Sequence, residues 1–366
     1  MGYPYNLEFE YTELSRFLKY SINNLGDPFI SSNYGVHSRK FELEILKFFS
    51  ELWNIDNYWG YITNSGTEGN LQAMLVAREK FPDGIIYTSE ETHYSIFKAA
   101  HFYRMEIISI PTLWNGCIKL DYLNDMIIKN NNKPIIINVN IGTTMKGAID
   151  DIYGILELLK KLNIPRDKFY IHCDGALFGM MLPFSDSKMI IDFNLPIDSI
   201  AISGHKFIGS PMPCGVFITR KCNMDSLSKP IEYLNSIDST ITGSRNGLSS
   251  LFLWNVITTK GIDGFKKDTN DTIDNAKYLE TELQKRNISS FRNILSSTIY
   301  FEKPNKEFIL KWQLASIEDI AHVVIMPSIS KEKINLFLKD IDNITFEKKC
   351  VKKYMDMFCK CSKCIL

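Results

Sequence analysis

Short apolar runs alternate with segments of helical periodicity through the middle of the chain. Apolar residues at helical spacing predict helices over 71–80, 94–103 and 152–162. Runs rich in β-branched or aromatic residues predict six strands, at 59–63, 85–88, 106–110, 134–141, 169–174 and 197–203. The run 134–141 is almost continuously apolar, as a strand buried on both faces should be. This alternation predicts an α/β fold with a mostly parallel sheet covered by helices on both faces.

The two ends of the chain differ from the middle in composition and in the pattern of predicted elements. Within the first 55 residues, helices predicted at 13–20 and 41–53 flank a loop at 23–38 that is rich in turn-forming residues. After residue 260, Lys, Asn and Asp become common, and short strands are predicted at 297–301 and 321–326. We therefore expect an N-terminal arm (1–55), a large domain (56–260), a small α+β C-terminal domain (261–345) and a tail (346–366).

Composition and charge narrow the class of protein. The 366 residues are 45% hydrophobic and 23% charged, and 42 basic side chains balance 42 acidic ones. Zero net charge argues against broad electrostatic capture of nucleic acid or of an anionic membrane. No apolar run reaches the roughly 18 residues of a membrane span, and the first residues lack the pattern of a signal peptide. We expect a cytoplasmic protein without nucleic-acid partners or stable membrane insertion, in which the Cys side chains are thiols.

Candidate chemistry lies where predicted strands end, because open parallel sheets bind ligands outside the carboxyl ends of their strands. After strand 59–63 comes NSGTEGN (64–70), whose small and hydroxyl residues at a helix start suit a phosphate. Ser65 and Glu68 also have capping-box spacing, and alone a plain helix cap is the favoured interpretation. Thr143 follows strand 134–141 and either contacts a ligand or caps a turn.

Two charged residues end the next two strands. Asp174 closes strand 169–174, and a carboxylate there is costly unless a cation pairs with it. Lys206 follows strand 197–203, where loss of solvent would lower its pKa and make it a nucleophilic amine. A surface Lys and a turn-starting Asp are the ordinary alternatives. A phosphate cradle, a strand-end Asp and a strand-end Lys together describe a pyridoxal phosphate site, with His93 as the aromatic ring that packs on the cofactor.

The amino-acid sequences of these segments are characteristic of one enzyme family. The segments NSGTEGN, THYSIFKAA, NIGTTMKGAIDD, HCDGALFGM, SGHKFIGSPMPCG and TGSRNG resemble the group II pyridoxal phosphate decarboxylases. Within that family they are similar to the branch of plant serine decarboxylases and small histidine decarboxylases, and the resemblance extends to about residue 345. It implies an aspartate-aminotransferase-type fold (fold type I) with a seven-stranded sheet, and a homodimer with its active site at the subunit interface.

The resemblance also implies a role for each site residue. Lys206 would form the Schiff base with the cofactor, Asp174 would pair with its ring nitrogen, and His93 and Ala176 would lie on opposite ring faces. Thr143 would lie near the ring oxygen or Asp174. The proton donor to Cα is left open between Lys206 and Tyr233, and segment 233–247 would lie at the partner's site or close its own. The phosphate would be held by Ser65, Gly66, Thr67, Ser203 and His205.

The early loop of the chain indicates the substrate. This loop resembles the plant serine decarboxylases, so L-serine is expected. Polar residues of that loop are the candidate substrate contacts: Asn33, Tyr34 and His37, with Asn24 and Asp27 beside them. L-histidine is the alternative substrate. The family usually has His after SRNG, whereas this chain has Leu248, so an altered or catalytically idle relative is a further alternative. Aminotransfer is disfavoured because neither late arginine, Arg286 nor Arg292, lies in a carboxylate-binding motif.

The tail carries four of the eight Cys residues in a Lys-rich setting. The spacing C-x-C-x2-C is tolerable for zinc, and acylation near an anionic surface is another possibility. A tail with exposed thiols is the favoured interpretation, and no metal site is assigned. Cys173 and Cys214 lie near the site motifs and are expected to serve packing.

Overall fold

A seven-stranded sheet forms the centre of the computed structural model, which describes residues 1–344 and 346. Its strands are β1 (Tyr58–Thr63), β2 (Ile85–Ser89), β3 (Glu106–Ile110), β4 (Ile135–Asn140), β5 (Phe169–Asp174), β6 (Ser199–Ser203) and β7 (Gly215–Arg220). Their order in the sheet is β1-β7-β6-β5-β4-β2-β3. All neighbours from β6 to β3 pair in parallel, and only β7 runs antiparallel to both of its neighbours. The mostly parallel seven-stranded α/β fold is thereby confirmed.

Helices cover both faces of this sheet. The first five are α1 (Arg39–Leu52), α2 (Gly66–Lys80), α3 (Tyr94–Tyr103), α4 (Leu120–Lys129) and α5 (Ile152–Lys161). Alternate side chains of β4 enter different cores: Ile135 and Ile137 pack with α1 and α5 residues, whereas Ile136 packs with α2 and α3 residues. The strand is buried along its whole length, as its continuous apolar run predicts.

The remaining elements follow in the second half of the chain. A hairpin of β8 (Lys229–Ile231) and β9 (Ser236–Asp238) precedes the long α6 (Gly247–Lys285), and α7 (Lys306–Trp312) and α8 (Lys331–Ile341) follow. A second, antiparallel sheet has the order β10-β11-β13-β12, formed by β10 (Ser290–Phe291), β11 (Thr298–Glu302), β12 (Ala315–Ile317) and β13 (Ile320–Val324). Gly261, at φ 58°, interrupts the helical conformation of α6. That bend coincides with the expected boundary at 260, although the division into domains stays a prediction.

Some local predictions differ from the structure. Residues Thr12–Lys19 form a 3₁₀ helix that buries none of its residues, and both α4 and β7 lie in segments for which the sequence analysis gave no element. In the described part of the chain, no helix is long and apolar enough to cross a bilayer. The tail and its cysteines, Cys350, Cys359, Cys361 and Cys364, lie outside the described residues.

Candidate active site

Lys206 lies in a single π-helical turn, His205–Gly209, directly after β6. The N-terminal segment fixes this turn, because Asn6 donates its backbone N–H to the Lys206 carbonyl (2.9 Å) and its amide Nδ2 to the Phe207 carbonyl (2.9 Å). Desolvation lowers the pKa of Lys206, and the negative charge of Asp174 partly opposes that effect. The amine therefore loses its proton more readily than a solvated lysine does.

Asp174 ends β5, the strand that neighbours β6, and only 5% of its surface is exposed. One carboxylate oxygen accepts from Asn70 Nδ2 at 2.7 Å, and the other accepts from the Ala176 backbone N–H at 3.0 Å. Two hydrogen bonds do not neutralise a buried carboxylate, so a cation is its natural complement. Lys206 interacts electrostatically with this carboxylate, and a protonated pyridine nitrogen would supply the cation that a buried carboxylate needs.

His93 is the residue that precedes α3 and caps its first turn. Its Nδ1 accepts from the Ser95 backbone N–H at 3.3 Å and lies 2.8 Å from the Ser95 hydroxyl. Desolvation lowers the pKa of His93, with Asp174 opposing and Lys206 reinforcing the effect. These mutual influences show that the three side chains share one site. The ring is half-buried, as a stacking partner for a flat cofactor should be.

The predicted phosphate cradle is the start of α2. Ser65 Oγ accepts from the Glu68 backbone N–H at 3.3 Å, so the capping interaction is present. The N–H groups of Gly66 and Thr67 belong to the first helical turn and have no intrahelical acceptor. A Cβ on Gly66 would lie 2.4 Å from Ser203 Oγ and 3.5 Å from the Ala176 Cβ. The cradle, Ala176 and Ser203 therefore converge, and free N–H donors beside a hydroxyl fit a phosphate group.

His205 and Thr143 make hydrogen bonds that serve the protein itself. His205 Nδ1 lies 2.9 Å from the Cys214 carbonyl oxygen and 3.1 Å from the Cys214 backbone N. Thr143 is buried after β4, and its Oγ1 accepts from the Ala148 backbone N–H at 3.0 Å. The turn-capping interpretation of Thr143 is therefore present in the structure, while contact of either residue with a cofactor stays a prediction.

The structure does not bring four other predicted residues to this cluster within one chain. Tyr233 is 83% exposed, in a short 3₁₀ turn between β8 and β9. Tyr34 donates its hydroxyl to the Ser21 carbonyl at 3.2 Å, and the exposed His37 accepts from the Arg39 backbone N–H at 3.3 Å. Asn33 is exposed at the surface. Their roles remain predictions.

Segment 233–247 packs beside the cradle of its own chain. The Ser239 carbonyl accepts from the side chain of Gln72 on α2 at 2.9 Å. Thr242 Oγ1 accepts from Asn64 Nδ2 at 3.4 Å and lies 3.5 Å from a Glu68 carboxylate oxygen. Arg245, which ends the segment's Gly-Ser-Arg motif, forms a buried ion pair with Glu42 of α1. The segment is thus anchored next to the predicted phosphate site.

Sequence reasoning missed three polar residues at the centre of the site: Asn70, Ser95 and His172. Asn70 lies one helical turn beyond Gly66, so it faces the same sheet edge as the cradle. His172 is two residues before Asp174 on β5, and the strand period of two places both side chains on one face. Those two spacings were the available signals.

Known proteins resemble this chain over most of its length. Residues 37–297 match the pyridoxal-dependent decarboxylase conserved domain. Serine decarboxylase 1 of Oryza sativa subsp. japonica is 51% identical over 93% of this chain and 71% of its own length. Histidine decarboxylase of Solanum lycopersicum is 48% identical over 93% of this chain and 84% of its own length.

A solved structure agrees as well. L-methionine decarboxylase from Streptomyces sp. 590, in its internal aldimine form, superposes with a TM-score of 0.87 at 26% identity and covers 94% of this chain and 91% of its own. Together these findings confirm the family resemblance, the fold, the pyridoxal phosphate cofactor and the carboxy-lyase activity. The chain therefore belongs to the pyridoxal-dependent decarboxylase family.

Proposed function

We propose that this enzyme decarboxylates L-serine to ethanolamine and carbon dioxide. The observation that carries the reaction class is the convergence of Lys206, Asp174, His93 and the cradle at the start of α2, which arrive from four separate strand ends. The relatives support the substrate, because three rice serine decarboxylases are 48% to 51% identical to this chain.

L-histidine is the second candidate substrate, since the tomato histidine decarboxylase is 48% identical and a Vibrio campbellii histidine decarboxylase is 42% identical. Aminotransfer has less support. Arg292 donates to Glu280 at 3.0 Å, and Arg286 donates to Asp342 at 2.8 Å. Both late arginines are therefore paired with carboxylates of the protein, which compete with a substrate carboxylate.

Bound pyridoxal phosphate supplies an electron sink that stabilises the charge left at Cα when carbon dioxide departs. Lys206 would provide the amine that holds the cofactor, and desolvation lowers the pKa of that amine, which favours its uncharged, nucleophilic form. Asp174 would hold a proton on the ring nitrogen, because a nearby buried carboxylate stabilises the positively charged form of that nitrogen. His93 and Ala176 would confine the ring from opposite sides, and Gly66, Thr67 and Ser203 would hold the phosphate.

The Cα carbon must receive a proton after decarboxylation, and Lys206 and Tyr233 are the candidates. Lys206 already lies in the cluster, whereas Tyr233 is exposed within one chain. We propose that the active protein is a homodimer whose site lies at the subunit interface. A second subunit against the hairpin β8–β9 would cover Tyr233, and sedimentation of the purified protein tests the dimer.

A cytoplasmic location is proposed as well. Cys117, Cys173, Cys214 and Cys222 are free thiols, the state that a reducing compartment maintains. The two buried ones support the expected packing role, since desolvation raises the pKa of Cys214 to about 12 and that of Cys173 still further. Cell fractionation with an antibody to the protein tests the compartment.

Product identification by mass spectrometry tests the proposed reaction. Cofactor-loaded protein is incubated with L-serine and, separately, with L-histidine, and Lys206→Ala is the control that should release no carbon dioxide. Ethanolamine from serine supports the proposal, and histamine from histidine supports the alternative. If neither amine forms, Leu248→His tests the idle relative: Leu248 is half-buried at the start of α6, and restored turnover would assign the loss to that position.

A further inference from the structure

A chain of buried hydrogen bonds joins Asp174 to His93 through a side chain with no role in the reaction described above. Asn70, on α2, is 1% exposed and makes three contacts. Its Nδ2 lies 2.7 Å from Asp174 Oδ2 and 2.8 Å from Ser95 Oγ, and its Oδ1 lies 3.0 Å from His172 Nε2. One amide thus touches the two elements that carry Asp174 and His93.

The chemistry of the partners fixes the direction of each hydrogen bond. An ionised carboxylate only accepts, so the Asn70 atom facing Asp174 is the amide nitrogen. The amide oxygen then faces His172, and His172 must carry its proton on Nε2. Its other nitrogen, Nδ1, accepts from the Ser199 hydroxyl at 2.9 Å, and Ser199 in turn accepts from Tyr170 at 2.9 Å. Burial lowers the pKa of His172 to about 4, so the neutral tautomer persists at pH 7.

The second amide proton of Asn70 fixes the direction of the hydrogen bonds between Ser95 and His93. Ser95 Oγ accepts from Asn70, which leaves the Ser95 hydroxyl proton for His93 Nδ1 at 2.8 Å. The Ser95 backbone N–H also points at His93 Nδ1. His93 Nδ1 therefore accepts twice, and the imidazole proton is fixed on Nε2.

We propose that Asn70 is a positioning residue that holds the carboxylate of Asp174 and the ring of His93 in one fixed arrangement, with neutral His172 setting the orientation of its amide. This inference rests on the roles proposed for Asp174 and His93. Only an amide provides two donors and one acceptor from one short side chain, so neither Asp nor Leu replaces it.

Nitrogen-15 NMR of the cofactor-loaded protein with labelled histidine tests the arrangement without turnover. In the wild type, His172 and His93 should both show a protonated Nε2 and an unprotonated Nδ1 at pH 7. Asn70→Leu removes the acceptor of the His172 Nε2 proton and should release the fixed tautomer of His172. His93 keeps the donation from the Ser95 backbone N–H, so its Nδ1 signal should shift without a change of tautomer. Asn70→Asp keeps an acceptor for His172 but draws the Ser95 proton away, so the shift of the His93 Nδ1 signal should appear while His172 keeps its protonated Nε2.

Steady-state kinetics supply the second readout. Asn70→Leu should lower kcat about 10-fold or more, the effect of one hydrogen bond to a charged group, and change KM by less than about 3-fold. The matched control is Asn223→Leu: Asn223 is a buried amide bonded to Asp198 and Thr219, at the end of β6 opposite Lys206. His172→Gln retains a donor for Asn70 and should keep most of the activity that His172→Leu loses.

The outcomes separate this inference from the proposed reaction. A protonated Nδ1 on His172, or equal kinetic losses in Asn70→Leu and Asn223→Leu, would overturn the positioning role. A wild type with the expected tautomers that releases neither ethanolamine nor histamine would contradict the proposed reaction and leave the arrangement standing.

Discussion

Burial of His172 should make the stability of the protein depend on pH, and replacing His172 with a residue that does not titrate should remove this dependence. The imidazole is fully buried, and desolvation lowers its pKa from 6.5 to about 4. Because the folded pKa lies below the unfolded one, this contribution to the free energy of unfolding is complete above pH 6.5 and is lost as the pH falls towards 4. The shift corresponds to about 3 kcal/mol in total, of which about 2 kcal/mol is lost by pH 5.

Urea denaturation of wild type and His172→Gln at pH 7.5 and pH 5 measures this difference. Glutamine carries no proton that titrates, so the variant should lose about 2 kcal/mol less stability between the two pH values than the wild type. His101→Gln, at an exposed position on α3, is the control and should match the wild type. Parallel losses in His172→Gln and wild type would refute the assignment of His172 as a buried neutral imidazole.

Three further substitutions test other parts of the structure. Gly66→Ala should weaken cofactor binding about 10-fold, because its methyl group displaces the Ser203 hydroxyl. Equilibrium dialysis of the cofactor measures the binding, and unchanged binding would contradict the assignment of the phosphate site to the start of α2. Arg245→Met should lower the free energy of unfolding, measured by urea denaturation, by about 3 kcal/mol or more, because it leaves the buried Glu42 carboxylate without its cation. Adding Glu42→Gln to this variant should restore part of the lost stability. Asn6→Ala should increase cofactor dissociation by loosening the turn that carries Lys206; a dissociation rate equal to that of the wild type would argue against that anchor.

The sheet was predictable because burial on both faces leaves a direct trace in the sequence. Strand β4 has apolar residues at four of its six positions, and all six are buried. Strand β7 was missed although its sequence GVFITR is also rich in apolar and β-branched residues and is buried at five of six positions. Helix α4 was missed in a stretch where it buries only Leu123 and Ile127.

Candidate site residues could be predicted from the sequence where they directly follow predicted strands. Residues whose role depends on partners distant in sequence could not. Polar residues of the early loop suggested substrate contacts, yet the structure gives two of them structural partners. Asn24 donates to Glu42 at 2.9 Å, and Asp27 accepts from the indole of Trp59 at 2.7 Å. Such partners are distant in sequence, so no local pattern distinguishes a residue that folds the arm from one that binds substrate. The Asn70 contacts were hidden for the same reason.

The central claim is that the cluster around Lys206 decarboxylates a small amino acid, serine before histidine. The most direct test is a competition in which cofactor-loaded protein receives equal concentrations of L-serine and L-histidine and the amines are quantified by mass spectrometry. We expect ethanolamine in excess over histamine from the wild type, and neither amine from Lys206→Ala. Histamine in excess would contradict the serine assignment, and amine production that survives in Lys206→Ala would contradict the mechanism.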